Sequence, residues 1–354
     1  RQYRIGPRGD TLGVLLALVD RLVEQRLAAK ARAKVAASGS PARHTDEALS
    51  AAMKILVNSA YGYLGAPGLT RLADVAAANE VTRRGRELLG LLCRELAARG
   101  ATLLEADTDG VYFAVPETWS EDDERRIVAE VAALLPPLVK LEFEGRYAAM
   151  LSHEPKNYAL LTYDGTLLLR GVAFHSVRAE PFGERFLRDA IRCLLEGDIS
   201  GVRACFEETA AALRRHTLPT EMVASRVRLT KTPAQYTGAR SARREAAYEA
   251  LMGAGRTTWE RGEQVRVYRA AGGRSALLLE DSDGTPTGDP RDYDPTHYVR
   301  LLRETFAARL AKAFTPDDVA ALFGDPEQLS LFAPPLETIR PILTTLMEPP
   351  AIEV

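Results

Sequence analysis

Cysteine is scarce in this 354-residue chain. Cys93, Cys193 and Cys205 are an odd number without C-x-x-C spacing, which excludes a disulfide framework and fits reduced, buried thiols. Histidine is almost as rare: there are five, none sits in a metal-like cluster, and no zinc centre is expected. His153, His175 and His297 read as structural. No apolar run reaches the ~18 residues of a membrane span, and no signal peptide is present, so a cytoplasmic location is expected. An excess of one charge is also missing, since the net charge is −2, and taken whole it says nothing for nucleic acid. Its distribution does. Ala224–Ala246 carries Arg226, Arg228, Lys231, Arg240, Arg243 and Arg244 against Glu245, whereas Glu280–Asp294 is acidic apart from Arg291. Any one charge run also fits a solvated face, but the segregation suggests a side that meets a polyanion. What is present is ordinary globular composition, 46% apolar and 27% charged, with material for two or three cores. The first residue is Arg1 rather than Met, so part of a longer protein is expected.

The most informative stretch is Leu103–Val115, where two short apolar runs flank Asp107-Thr108-Asp109-Gly110. This pattern predicts a β-hairpin with two carboxylates at its tip. In extended chain Asp107 and Asp109 point to one face, and two carboxylates ~4 Å apart repel by roughly 4 kcal/mol at an effective dielectric near 20. A hard divalent cation removes that cost, and Mg²⁺ in phosphate chemistry is typically held by one or two carboxylates plus substrate oxygens. Alone, the same four residues also read as a solvated Asp-Gly turn.

In chain order, a polar lead-in is followed by helical periodicity over Thr11–Ala37, with Leu12, Leu15, Leu16, Val19, Leu22 and Val23 on one side. Ser38-Gly39-Ser40-Pro41 breaks it, Thr45 reads as the next N-cap, and a second helix runs to about Tyr63. The short connection implies an antiparallel helical hairpin. Arg26 and Lys30 are spaced i,i+4, and Lys54, Asn58 and Tyr61 share a face of the second helix. Brought together, these form a cradle suited to phosphate and a base, or they are simply two solvated amphipathic faces. A helix over Arg71–Arg99 leads into the aspartate hairpin, and Ser120 caps another that stops at Pro136-Pro137. Val139–Glu144 alternates as a strand, with Glu142 and Glu144 opposite Leu141 and Phe143. Strands are expected at about Ala148–Ser152, Tyr158–Tyr163 and Thr166–Arg170. Helices follow at about Glu180–Gly197, Ile199–His216 and Thr296–Phe314, with a strand at Gly262–Tyr268. Long helices with antiparallel strands and no repeated βα rhythm predict an α+β fold.

Lys54-x3-Asn58-Ser59-x-Tyr61-Gly62 resembles a motif of family B DNA polymerases. Asp107-Thr108-Asp109 resembles that family's D-T-D motif, Glu142-Phe143-Glu144-Gly145 and Lys156-Asn157-Tyr158 resemble its later palm segments, and Arg26 and Lys30 fall where it places an Arg and a Lys. The order and spacing agree to about Tyr298. The resemblance implies a right-hand polymerase fragment: lead-in 1–10, helical-hairpin fingers 11–65, antiparallel-sheet palm 66–175, mainly helical thumb 176–322 and a tail 323–354. It implies Mg²⁺ on Asp107 and Asp109 with Glu144 nearby. It also implies incoming dNTP held by Arg26, Lys30, Lys54, Asn58 and Tyr61. Lys156 and Tyr158 would touch the primer terminus. The basic run with Arg226, Arg228, Lys231 and Tyr236 would meet the duplex of primer–template DNA in replication or repair.

One departure bears on activity. The family's other palm aspartate, in a D-x-x-S-L-Y-P-S segment before the fingers, has no counterpart before Thr11. The expectation is therefore a C-terminal polymerase part without the exonuclease domain, inactive alone and completed by an upstream segment or subunit. The alternative is a non-catalytic DNA- and clamp-binding remnant. Near the end, Gln328-Leu329-Ser330-Leu331-Phe332 lies between breakers and resembles the peptide with which bacterial polymerases engage the sliding clamp. That implies a bacterial source and a clamp-binding role for Gln328, Leu329, Leu331 and Phe332; the other reading folds the three apolar side chains onto the thumb.

Overall fold

A computed structural model describes residues 13–70, 73–107, 110–137, 139–174, 176, 179–281, 283–324 and 334–342. The chain divides into two compact units. One holds the described residues to Ala98 with Gly110, and the other holds Arg99–Asp107 and the described residues from Val111 to Ile342.

The first unit is built on α1 (Val14–Val35), α2 (Pro41–Leu64) and α3 (Val75–Ala98). The expected helical hairpin is present, but α2 starts earlier than Thr45. Ser40 Oγ accepts the Arg43 N–H at 3.3 Å and Pro41 takes the first helical position. A proline there loses no hydrogen bond and arrives with helical φ. Thr45 is one turn inside and its hydroxyl donates to the Pro41 carbonyl at 2.9 Å. Leu15, Ala29 and Ala33 of α1 and Ala60 of α2 are buried, whereas Leu16, Val23, Ile55 and Leu56 remain exposed. Small residues at the seam let the two backbones approach. Arg32 then forks onto Asp46 across the turn, with Nε at 3.0 Å and Nη2 at 2.6 Å from Oδ1.

The second unit opens with β1 (Thr102–Asp107) paired to β2 (Gly110–Ala114), as the aspartate pattern predicts. Helix α4 (Glu121–Ala132) carries the expected Ser120 cap, completed by Asp123 into a reciprocal capping box, and stops short of Pro136. The strand expected at Val139–Glu144 does not form. Leu141 and Phe143 are half-buried and Glu142 and Glu144 exposed, so the alternation is real, but α4 side chains hold the segment instead of a ladder. Arg125 lies 4.7 Å over the Phe143 ring, and Arg146 reaches Glu124 at 2.7 and 2.9 Å. An antiparallel sheet follows in the order β3 (Ala149–Glu154), β4 (Asn157–Leu161), β5 (Leu167–Arg170).

Helix α5 (Pro181–Leu195) packs against this sheet and α6 (Ile199–Arg214) against α5, in one continuous core that includes Leu151, Ala159, Phe186 and Phe206. The short α7 (Thr220–Val223) leads into a region the sequence reading made mainly helical, yet it contains a second three-stranded sheet. Its strands β6 (Ser225–Arg228), β7 (Gln264–Arg269) and β8 (Ser275–Leu278) are antiparallel, with α8 (Pro233–Ala239) and α9 (Ala246–Gly253) inserted after β6. They enclose a small core of Leu229, Tyr236, Tyr248, Leu251 and Trp259. The helix expected over Thr296–Phe314 is α10 (Pro295–Leu301) continued by a widened π segment and a 3₁₀ segment. That change of pitch brings Phe306 against Gly183, so closely that a Cβ there would meet the ring at 2.1 Å. Arg203 of α6 donates to the carbonyls of Ala321, Leu322 and Gly324 at 3.0–3.1 Å, anchoring the end of α11 (Pro316–Phe323).

Candidate active site

Strand β1 carries Leu103, Glu105 and Asp107 on one side. Leu103 and Glu105 are buried, and Asp107, at the strand end, is 37% exposed. Opposite them stands the β3–β4 turn, in which Pro155 and Lys156 join Glu154 to Asn157. Proline suits the first central position. Lys156 takes the second at φ +67°, a conformation that costs a non-glycine residue on the order of 1–3 kcal/mol. Its Nζ lies 3.5 Å from Asp107 Oδ1. Its backbone N–H donates to Glu105 Oε1 at 3.0 Å, while Ser152 Oγ donates to Glu105 Oε2 at 2.8 Å.

Beside this lies an aromatic group. The Tyr112 and Tyr158 hydroxyls are 3.0 Å apart, their rings 5.0 Å, and Tyr147 is 6.4 Å from Tyr112. Burial raises the Tyr112 pKa, and the hydrogen bond with Tyr158 raises it further, with a smaller effect from neighbours that include Glu144. Tyr112 is therefore a neutral donor or acceptor at ordinary pH. Among the sequence-predicted residues, the fold gathers Asp107, Lys156, Tyr158 and Glu144 into one neighbourhood. Asp109 lies outside the described residues. Among the described residues no group of three or more His, Cys, Asp and Glu side chains forms a metal cage. Asp107 nevertheless offers an accessible carboxylate at a strand end, suited to a hard cation completed by other oxygens.

Sequence reasoning missed Glu105, Ser152 and Tyr112. Glu105 was detectable, because it shares the face of Leu103 in an apolar run, and a carboxylate in core register must find partners.

In the first unit, Arg26 and Lys54 stand about 9 and 12 Å along their helices from the Arg32–Asp46 pair, so they lie at similar levels of the hairpin. Lys54, Asn58 and Tyr61 are exposed. Arg26 is half-buried, and its Nε is fully buried with no hydrogen-bond partner among the described residues. A buried guanidinium N–H without an acceptor is costly unless a ligand supplies one.

The basic run is divided by the fold. Arg226 and Arg228 are exposed and, two apart on β6, share a face. Arg228 lines an open cleft with Arg256, Trp259 and Arg261. Tyr236 is not on this surface. It is fully buried, stacks on Tyr248 at 4.4 Å, and donates to Glu249 at 2.7 Å, so its place in a duplex interface is withdrawn. An aromatic amid cations reads as a stacking platform only if it is exposed, and the helical register of α8 turns it inward. Lys231 is half-buried and paired with Glu245, and Arg240 forks onto Glu249 at 2.8 and 2.9 Å. Two of the cations are thus already neutralised. Gln328, Leu329, Leu331, Phe332 and His175 lie outside the described residues.

The structure is similar to that of the family B DNA polymerase from the hyperthermophilic archaeon Pyrobaculum calidifontis, with a TM-score of 0.61 and 20% identity, over 87% of this chain and 39% of that one. The model of DNA polymerase family B matches residues 7–268, and the chain belongs to that family. DNA polymerase 1 of Pyrococcus abyssi is 28% identical over 231 residues, which is 62% of this chain and 30% of that protein. The DNA polymerase of Pyrococcus glycovorans is 27% identical over 247 residues, 67% of this chain and 32% of that protein. The chain spans about a third of the length of these curated relatives. Both are archaeal, and they give the expected bacterial source no support. Among the described residues no helix is long and apolar enough to cross a membrane.

Proposed function

We propose that this chain is the part of a family B polymerase that binds nucleotide and primer terminus during template-directed DNA synthesis. The observation that carries this reading is the Asp107–Lys156 pair at the end of β1, set beside the Tyr112–Tyr158 hydroxyl pair. Asp107 and Asp109 would hold Mg²⁺, with Glu144 nearby. A divalent cation bound there supplies charge neutralisation for the attacking and leaving oxygens of an in-line displacement. Lys156 contributes a positive charge for a primer phosphate, and Tyr158 a neutral hydroxyl beside it. Arg26, Lys30 and Lys54 place cations for the triphosphate, while Asn58 and Tyr61 offer an amide and a flat ring to the base pair. The protein's share of catalysis is placement and electrostatics rather than covalent chemistry. Arg226 and Arg228 contact the duplex backbone without reading sequence. A second aspartate-bearing segment outside these 354 residues completes the metal site, so the chain alone is inactive. Gln328–Phe332 docks on a sliding clamp.

The test is a fluorescence titration of labelled primer–template DNA, with and without the next complementary dNTP, in Mg²⁺. The correct dNTP should tighten the complex, a mismatched one should not, and Lys54→Ala should remove the gain. Binding indifferent to which dNTP is present would leave a DNA-binding remnant.

A further inference from the structure

Glu105 is a buried carboxylate with no place in the chemistry above. It is 7% exposed, sits one strand repeat before Asp107, and spends both oxygens on the β3–β4 hairpin. Oε2 accepts from Ser152 Oγ at 2.8 Å, and Oε1 accepts from the Lys156 backbone N–H at 3.0 Å. Lys156 is the hairpin residue held at φ +67°, where lysine has no intrinsic reason to stay. A side chain in that conformation leaves the turn in a direction fixed by the backbone. Here the direction brings Nζ to 3.5 Å from Asp107. One carboxylate therefore constrains the backbone that aims the ammonium, and β1 carries both that carboxylate and the aspartate it is aimed at.

We propose that Glu105 is a positioning residue that locks the Lys156 turn and so sets where the Lys156 ammonium meets the primer terminus. The functional half rests on the polymerase reading; the structural half does not. The bonding pattern also dictates which substitutions are tolerated. Glutamine keeps an oxygen for the Lys156 N–H, and its NH₂ can donate to Ser152, whose hydroxyl reverses from donor to acceptor. Aspartate keeps the charge but is one methylene too short to reach both partners. Leucine fills the volume and accepts nothing.

Two readouts on the full chain separate the halves. The first is hydrogen exchange of the residue-156 amide. Glu105→Leu and Glu105→Asp should each speed it at least about tenfold, the factor equivalent to losing one hydrogen bond to a charged group. Glu105→Gln should leave it within about threefold of the parent. If Glu105→Leu fails to fold, Glu105→Asp carries the same expectation. Unchanged exchange in Glu105→Asp and in any folded Glu105→Leu overturns the positioning role. The second is affinity for primer–template DNA. Glu105→Leu, or Glu105→Asp in its place, should lose about as much as Lys156→Ala, the double variant should lose no more than either, and Glu105→Gln should bind like the parent. Losses that simply add would overturn the coupling, since Glu105 would then act elsewhere. Parental affinity in Lys156→Ala, with exchange responding as expected, would overturn Lys156 as a primer contact while the Glu105 lock stands.

Discussion

Lys156 Nζ lies 3.5 Å from Asp107 Oδ1, joining a solvent-facing ammonium to a carboxylate that is itself about a third exposed. Pairs of this kind are worth about 0–1 kcal/mol, because water and salt screen them. The pair is therefore poorly explained by stability, and easily exchanged for a phosphate on Lys156 and a cation on Asp107. Asp107→Asn should leave the thermal midpoint within a few degrees of the parent. It should abolish the Mg²⁺-dependent gain in primer–template affinity given by the correct dNTP. Thermal unfolding and the titration, run on the same preparation, check both halves.

Duplex binding should depend on the cations that the fold leaves exposed. Arg226→Ala with Arg228→Ala should weaken DNA binding equally for unrelated sequences. It should also flatten the dependence of log affinity on log salt by about 0.9 for each phosphate contact removed. Lys231→Ala should do less, since Lys231 is already paired with Glu245. Titrations between low and moderate salt distinguish these outcomes.

How far this was readable in the sequence differs from site to site. The strand pair ending at Asp107, the Ser120 cap and the two-helix hairpin follow from local rules of turn chemistry, capping and periodicity; the first two form where those rules put them, whereas the second helix starts at Pro41 and not after Thr45. The strand at Val139–Glu144 fails because alternation specifies a face and not a hydrogen-bonding partner, and Arg125 and Arg146 supply side-chain partners instead. Tyr236 fails for a related reason. Its neighbours in sequence are cations, but its neighbours in space are Tyr248 and Glu249. Glu105 and Lys156 are joined across 51 positions, a relation no local pattern contains.

Acid should weaken the small core around β6–β8 at Glu249. The Arg240 fork and then the Tyr236 hydroxyl hold its carboxyl at about 2, below the usual 4.5. A folded-state pKa below the unfolded one gives stability that is complete above about 4.5 and is lost as pH falls through about 2. The parent should therefore melt above Glu249→Gln at neutral pH, and the gap should close progressively between pH 4.5 and 2. Thermal unfolding of both proteins across that range checks the sign.

The clamp reading has its own test, separable from catalysis. A synthetic peptide covering Asp325–Pro335 should bind a bacterial sliding clamp, and Leu331→Ala or Phe332→Ala should each weaken it at least about tenfold, as expected of anchors that carry most of an interface. Fluorescence titration reads this directly. Binding indifferent to both substitutions would assign the three apolar residues to packing alone.

The most direct measurement of the central claim is extension of a labelled primer on a template, in Mg²⁺ and all four dNTPs. It compares the 354-residue chain alone with the chain supplied with the family's other palm aspartate segment. No extension by the chain alone, templated extension once the segment is present, and loss of that extension in Asp109→Asn with folding retained is the predicted result. Robust synthesis by the chain alone, or none when the segment is supplied and the duplex is bound, would contradict the account.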